Sequence, residues 1–168
     1  MSETPQTATP KRRLLRIGVA VAGCILILDQ LSKVWILQSV MQPPRVIEIT
    51  PFFNIVLAWN RGVSFGMFNQ ASDYGPHLLT ALALAIVAAL SVWLYKAEAR
   101  FTVLSLGLII GGALGNVIDR VRFGAVVDFL DFHAMGYHWP AFNVADAAIC
   151  IGAAMLVLES LFQPGKTS

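Results

Sequence analysis

Charged residues are scarce in this 168-residue sequence. Only 13% of its residues are charged, whereas 57% are hydrophobic and the mean hydropathy is +0.68. An average soluble domain carries about 25% charged residues, so an ordinary soluble domain is excluded. The net charge of +2 is small, and no basic cluster contains interleaved aromatic residues. We therefore expect no nucleic acid partner.

Cysteine is almost absent as well. Neither Cys24 nor Cys150 has a C-x-x-C neighbour or a metal-ligand spacing, so we expect no disulfide framework and no zinc site. Both lie in apolar stretches, which predicts buried free thiols that pack as small hydrophobic side chains. Asp131, His133 and His138 are close in sequence but lack an H-E-x-x-H pattern. We interpret the histidines as solvated loop residues rather than metal ligands.

Long apolar stretches, in contrast, are abundant. Four of them cover residues 17–37, 78–95, 101–118 and 141–158. A helix of about 18 residues reaches roughly 27 Å, nearly the thickness of a bilayer's hydrocarbon core. The sequence therefore predicts an all-α membrane protein with four transmembrane helices in one domain, residues 14–162. Residues 1–13 and 163–168 are expected to be tails, the first of them disordered.

Residues 38–76, between the first and second apolar stretches, have a different pattern. "RVIEI" and "NIVLAW" predict short β segments, and Phe65, Met67 and Phe68 suit a membrane-surface element. We therefore expect a small extracytoplasmic segment that contains β structure. Periodicity does not report motion, so a mobile lid and a static cap remain open.

Basic residues are concentrated on alternate flanks of the apolar stretches. Seven of the twelve lysines and arginines lie before the first stretch, between the second and third, or after the fourth: Lys11, Arg12, Arg13, Arg16, Lys96, Arg100 and Lys166. Cytoplasmic loops are enriched in such residues. Both termini are therefore predicted to be cytoplasmic.

The first apolar stretch also contains a possible processing motif. Val21-Ala22-Gly23-Cys24 resembles a lipobox, at which a lipoprotein precursor is lipidated and cleaved. The apolar pattern continues past Cys24 to Leu37, whereas a mature lipoprotein normally becomes polar there. An uncleaved helix is the favoured interpretation.

Polar residues from separate stretches are expected to meet near the outer membrane face. Asp29 and Lys33 are spaced to form an i,i+4 pair, and Asp146 also has apolar sequence on both sides. Ionisable residues inside a membrane indicate function by default, although a purely structural polar network is an alternative. The other members of this predicted layer are Asn60, Asn116, Asp119, Arg120 and Asn143.

Two of these carboxylates could perform acid–base chemistry. Carboxylates held close together share a proton, and such a dyad can deprotonate water and protonate a leaving amine, as peptide hydrolysis requires. Asp128 and Asp146 are the best candidates. Spacing alone does not select them over Asp119 or Asp131.

Four sequence blocks carry a family resemblance. They are "DQLSK" at 29–33, "NRGVSFG" at 60–66, "GNVIDRVRFGAVVD" at 115–128 and "FNVAD" at 142–146. Together and in this order they resemble lipoprotein signal peptidase, or signal peptidase II, a family of aspartyl endopeptidases of the bacterial cytoplasmic membrane.

The resemblance implies a role for each polar residue. Asp128 and Asp146 correspond to the catalytic dyad, whereas the substrate-binding or orienting positions are Asn60, Asn116, Arg120 and Asn143. Structural support is implied for Asp29, Lys33 and Asp119. The implied substrate is a prolipoprotein with a diacylglyceryl-modified cysteine, cleaved on that cysteine's N-terminal side near the outer face of the inner membrane. The resemblance implies membrane lipids as partners and neither metal nor organic cofactor.

Three further patterns leave alternatives open. Gly62 to Gly66 satisfies G-x-S-x-G around Ser64, but a serine hydrolase elbow requires a large soluble sheet. A transporter could use the intramembrane carboxylates as a proton relay, although no inverted repeat is present. Gly107, Gly111 and Gly115 form a small-residue helix face. We interpret this face as packing within a monomer, with a dimer contact as the alternative.

Overall fold

The computed structural model describes residues 10–62 and 75–162. Four of its helices are long and apolar enough to cross a membrane. They are α1 (Pro10–Trp35), α2 (Gly75–Lys96), α3 (Arg100–Phe123) and α4 (Val144–Phe162), and a short π-helix, Ile36–Val40, extends α1. The prediction of a mostly helical membrane protein with four such helices is confirmed.

The helix boundaries differ from those read from hydropathy. Helix α1 begins at Pro10, so residues 10–13 are helical, although the sequence placed them in a disordered tail. Proline is tolerated in a first helical turn, and the long basic side chains that follow can keep their charges outside an apolar layer. Hydropathy detects the apolar part of a helix and misses such polar ends.

A small antiparallel sheet accompanies the helices. Its strands lie in the order β1 (Ile47–Thr50), β2 (Phe53–Asn60), β3 (Val126–Ala134) and β4 (Tyr137–His138). The first two match the predicted β segments, whereas β3 and β4 were not predicted. His133 and His138 lie in strands rather than in a loop, and their rings stack with centroids 4.9 Å apart.

Strand β3 follows α3 after a sharp turn. Gly124 has a φ of 67° and donates its N–H to the carbonyl oxygen of Arg120 at 3.0 Å, a left-handed helix cap that favours glycine. Further along, Phe142 donates its N–H to Leu130 O at 3.0 Å and accepts the Leu130 N–H at 2.9 Å. This bridge explains why α4 begins at Val144 rather than at residue 141, and it places the start of α4 beside β3.

Glycines allow α3 to pack closely against both α1 and α4. A methyl group at Gly111 would lie 2.5 Å from the backbone oxygen of Ala22 on α1, and one at Gly107 would lie 2.7 Å from Gly18 O. On the α4 side, a methyl group at Gly112 would lie 2.5 Å from Ala145 O. The small-residue face of α3 is therefore used for packing within the chain.

The two cysteines do not pack inside the protein. Cys24 and Cys150 are both free and exposed on helix surfaces, so the prediction that they are buried is wrong. Apolar flanking sequence does not require burial in the protein on a helix that can cross a membrane, since apolar side chains are also favourable in contact with lipid.

The close approach of α1 and α3 can be tested with Gly111→Ala. We expect this variant to lose about 1–3 kcal/mol of stability, because the added methyl group overlaps a backbone oxygen that cannot move alone. Thermal unfolding of the purified protein in detergent measures the effect.

The matched control is Gly23→Ala on α1, where an added methyl group would meet no atom of the described part of the chain within 4 Å. Its melting temperature should equal or exceed that of the wild type, since alanine is the better helix former. A Gly111→Ala protein that melts with the wild type would contradict the packing.

Candidate active site

A buried ammonium group organises one end of the helix bundle. Lys33 Nζ lies 2.8 Å from Asp29 Oδ2 and 2.7 Å from Asp119 Oδ2. The exposed fractions of these side chains are 2% for Lys33, 0% for Asp29 and 1% for Asp119. We refer to Lys33, Asp29 and Asp119 as the charge cluster. The predicted i,i+4 pairing of Asp29 with Lys33 is present, and Asp119 joins it from α3.

The charge cluster also bonds to backbone outside its own helices. Asp29 Oδ1 accepts the N–H of Ala145 in α4 at 3.0 Å, and Asp119 Oδ2 accepts the N–H of Val127 in β3 at 3.1 Å. Gln30 was not singled out from the sequence, yet its Nε2 donates to Asp119 Oδ1 at 3.0 Å. The cluster therefore connects α1 and α3 to the beginnings of α4 and β3.

Two further carboxylates meet at one asparagine. Asp128 lies in β3 and Asp146 in the first turn of α4. Asn143 Nδ2 donates to Asp128 Oδ1 at 2.7 Å, and the Asn143 backbone N–H donates to Asp146 Oδ2 at 3.2 Å. Asn143 Oδ1 accepts the N–H of Asp146 at 2.9 Å in return, which is the reciprocal pattern of a capping box. We refer to Asp128 and Asp146 as the carboxylate pair.

Asn116 connects the charge cluster to the carboxylate pair. Its Oδ1 accepts from Lys33 Nζ at 3.1 Å, while its Nδ2 donates to Asp146 Oδ1 at 2.8 Å. An ammonium group can only donate hydrogen bonds, so Lys33 requires the oxygen of the Asn116 amide to face it. The NH₂ group must then face Asp146.

Asn60 reaches the other carboxylate from the sheet. It lies opposite Val126 in the pairing of β2 with β3, so its side chain is on the same face as Asp128, two residues further along β3. Asn60 Nδ2 donates to Asp128 Oδ2 at 3.0 Å. Asn60 is exposed whereas Asp128 is buried, so the amide marks the side from which the carboxylate can be approached.

Burial has a strong effect on the acidity of Asp128. Desolvation raises its pKa and the nearby charge of Asp146 adds to this, while the hydrogen bonds from Asn60 and Asn143 act in the opposite direction. The result is a pKa of about 6 instead of the usual 3.8. A carboxyl group in this range can hold a proton near neutral pH and release it again.

Arg120 lies in the electrostatic field of the carboxylate pair. Its charge interacts with those of Asp146, Asp119 and Asp128. Its Nε is buried and has no hydrogen-bond partner among the described residues. Since buried N–H groups are normally satisfied, this donor is left for a partner outside the described residues.

Asp131 has a different environment, although it is in the same strand as Asp128. Asn54 Nδ2 donates to its Oδ2 at 3.0 Å, and His138 Nδ1 lies 2.9 Å from its Oδ1. Burial tends to raise the pKa of Asp131, but these contacts to His138 and Asn54 outweigh burial and lower it. Among residues 10–62 and 75–162, no group of three potential ligands could hold a metal ion.

The nine site residues predicted from the sequence therefore lie close together in the structure. The structure brings together Asp29, Lys33, Asn60, Asn116, Asp119, Asp128, Asn143 and Asp146 in one hydrogen-bonded network, with Arg120 beside it. Ser64 and the expected membrane-surface element at Phe65, Met67 and Phe68 lie outside the described residues.

Comparisons with known proteins agree in both sequence and fold. A family model described as signal peptidase (SPase) II matches residues 21–162. A lipoprotein signal peptidase of Methylobacterium sp. (strain 4-46) is 45% identical over 155 residues, which cover 92% of this chain and 94% of that protein. Another from Ralstonia nicotianae is 49% identical over 138 residues, covering 81% and 79% of the two chains.

Solved structures give the same result for the fold. One bacterial membrane enzyme superimposes with a TM-score of 0.76 at 30% identity, covering 88% of this chain and 94% of the other. A second bacterial membrane enzyme structure gives a TM-score of 0.73 at 29% identity and covers 90% and 94% of the two chains.

The charge cluster makes a prediction about stability. Replacing Lys33 with methionine leaves Asp29 and Asp119 buried without their cation, and removing one partner of a buried ion pair costs about 3–5 kcal/mol. We therefore expect Lys33→Met to unfold at a markedly lower temperature or denaturant concentration in detergent.

Ser32→Ala is the control from the same helical turn, since Ser32 Oγ donates to the backbone carbonyl oxygen of Asp29 in its own helix and contacts no member of the charge cluster through a carboxylate or ammonium group among the described residues. It should unfold close to the wild type. Equal stability of Lys33→Met and Ser32→Ala would show that the buried pairing is not formed.

Proposed function

Because this chain belongs to the signal peptidase II family, we propose that Asp128 and Asp146 are the catalytic dyad of a peptidase that removes signal peptides from prolipoproteins. Family membership supports the peptidase activity, the prolipoprotein substrates and an integral membrane location. One observation carries the assignment of the dyad: both carboxylates bond Asn143, and the buried one has a pKa of about 6.

In the proposed mechanism the carboxylate pair shares one proton. Asp128 holds it, and Asp146 accepts a proton from a water molecule that attacks the scissile carbonyl. Asp128 donates its proton to the carbonyl oxygen as the tetrahedral intermediate forms. Collapse of the intermediate breaks the C–N bond as Asp146 passes the proton taken from water to the leaving amine. One hydroxyl of the intermediate returns a proton to Asp128, which restores the starting dyad.

The surrounding amides and the guanidinium group position the reactants. Asn143 and Asn116 hold the carboxylates at fixed angles through bonds of 2.7 and 2.8 Å, which preorganises the dyad. Asn60 at the open side and Arg120, whose Nε has no partner within residues 10–62 and 75–162, are proposed to bind backbone carbonyls of the substrate. Asp29, Lys33 and Asp119 support this arrangement without contacting substrate.

The substrate is proposed to be a precursor whose cysteine already carries a diacylglyceryl group, cleaved on the N-terminal side of that cysteine. The carboxylate pair lies where the apolar helices α3 and α4 meet the small sheet. A signal peptide is an apolar helix, and a diacylglyceryl group is lipid. Both can therefore approach the pair laterally from the bilayer, while water enters from the sheet side.

The same proposal fixes the orientation of the enzyme. Six basic residues lie at the helix ends remote from the carboxylate pair: Lys11, Arg12, Arg13, Arg16, Lys96 and Arg100. By the positive-inside rule that end is cytoplasmic, with both termini, and the dyad lies near the outer face of the inner membrane. The acting unit is proposed to be a monomer, since the small-residue face of α3 packs against α1.

Substitution of the carboxylate pair tests the function. Asp128→Asn and Asp146→Asn should each reduce cleavage of a diacylglyceryl-modified precursor by at least about a thousandfold, since each removes a group that transfers a proton in the reaction. Purified enzyme in detergent, with gel separation of precursor and product, measures this loss.

Two controls give the assay its specificity. Asp131→Asn changes the neighbouring carboxylate of β3 and should retain cleavage, and Ser64→Ala should retain it if the G-x-S-x-G pattern is incidental. Normal cleavage by either variant of the pair would rule out the aspartyl dyad, while loss in Ser64→Ala would favour a serine nucleophile.

The pH dependence supplies an independent prediction. Asp128 must be protonated in the resting dyad, so kcat/KM should fall as the pH rises above its pKa of about 6. The Asn60 hydrogen bond lowers this pKa. Asn60→Ala should therefore raise the pKa of Asp128 and shift the fall in kcat/KM to higher pH.

Asn54→Ala is the matched control, because Asn54 lies in the same strand but donates to Asp131 instead. Its kcat/KM should fall at the same pH as that of the wild type. A shift to lower pH in Asn60→Ala would contradict protonated Asp128 as the acid.

A further inference from the structure

A cavity of about 370 Å³ lies far from the carboxylate pair, between the beginning of α1 and the end of α2. It is lined by Lys11, Arg12, Leu15 and Tyr95. The catalytic proposal uses none of these residues. The cavity therefore requires its own interpretation.

The lining combines cations with an apolar wall. Lys11 Nζ lies 5.9 Å from the centroid of the Tyr95 ring, a cation–π contact between α1 and α2. Lys11 and Arg12 are exposed and Leu15 is partly buried. Ammonium and guanidinium donors thus share the cavity lining with the side chains of Leu15 and Tyr95.

The charge around the cavity is strongly positive. Arg13 and Arg16 follow on α1, and Lys96 and Arg100 flank the short connection from α2 to α3, where Glu98 is the one acidic residue. Several cations at a membrane surface attract anionic headgroups. A ligand with a negative charge and an apolar part would match both halves of the cavity.

We propose that this cavity binds the phosphate headgroup of an anionic phospholipid from the adjacent leaflet. Lys11 and Arg12 bind the phosphate, while Leu15 and the Tyr95 ring contact the glycerol and the first part of an acyl chain. Helices α1 and α2 are both candidate membrane spans, so the cavity lies where they leave the hydrocarbon region. The remaining acyl chain continues along their apolar surfaces.

Two double variants, each of which removes two cations, distinguish a defined lipid site from diffuse electrostatic attraction. The purified protein is equilibrated in detergent micelles containing equal amounts of phosphatidylglycerol and phosphatidylcholine, and native mass spectrometry measures which lipid it retains. The wild type should prefer phosphatidylglycerol. Lys11→Gln combined with Arg12→Gln should reduce its retention about tenfold or more, since it removes the two charged side chains of the cavity lining that bind the phosphate directly.

The matched control is Arg13→Gln combined with Arg16→Gln, which removes the same charge from the same helix end without changing the cavity lining. It should retain phosphatidylglycerol within about twofold of the wild type, because diffuse attraction is weaker than a defined pocket. Equal losses in the two double variants, or no lipid preference in the wild type, would overturn the site.

Two further arms complete the test. Lys11→Arg with Arg12→Lys preserves both charges and should retain the lipid. If the double glutamine variant fails to fold, Tyr95→Ala removes the apolar wall and should lower retention instead, and unchanged retention would overturn the proposal.

Inorganic phosphate at millimolar concentration should not displace the lipid. Displacement would identify a site for free phosphate and would refute the phospholipid.

Discussion

The structure depends on the burial of one ammonium group. Lys33 is 2% exposed and lies on a helix long and apolar enough to cross a membrane, where an isolated cation is very costly. Its charge is stabilised because Asp29, Asp119 and the Asn116 amide oxygen each lie within about 3 Å of Nζ. These partners come from two helices, so the electrostatic requirement of one residue determines how α1 and α3 are positioned along each other.

The same requirement extends to the candidate dyad. Lys33 orients the Asn116 amide, whose NH₂ group then bonds Asp146, and Asp119 holds the backbone of Val127 directly before Asp128. Gly115 belongs to this arrangement as well, since a Cβ at that position would overlap the Asp29 carboxylate. Stability and site geometry thus share the same bonds. A substitution in the charge cluster should therefore affect both, whereas a substitution in the carboxylate pair should affect chemistry first.

The sequence predicts the helices better than the site, for a physical reason. Hydropathy over some 18 residues identifies a membrane span, and the spacing of Asp29 and Lys33 identifies their pairing. Strand β3 was missed because only Gly124 and Ala125 separate it from α3, and because its sequence does not alternate between apolar and polar residues. Asp128 could not be chosen over Asp131 for the same reason. Both lie in that strand, and their partners distinguish them. Asp128 accepts from Asn60 and Asn143, whereas Asp131 contacts Asn54 and His138.

Identical residue types serve different purposes at the two ends of the bundle. Lys11 and Arg12 are exposed, so water or headgroups solvate them and they require no fixed partner. Lys33 is enclosed, and each of its hydrogen bonds is assigned to a particular atom. A solvated charge can influence orientation and lipid contact but fixes little geometry, whereas a buried charge fixes the position of every group around it. Precise acid–base geometry therefore requires the enclosed charges, which explains why the candidate dyad adjoins Lys33 rather than the basic end.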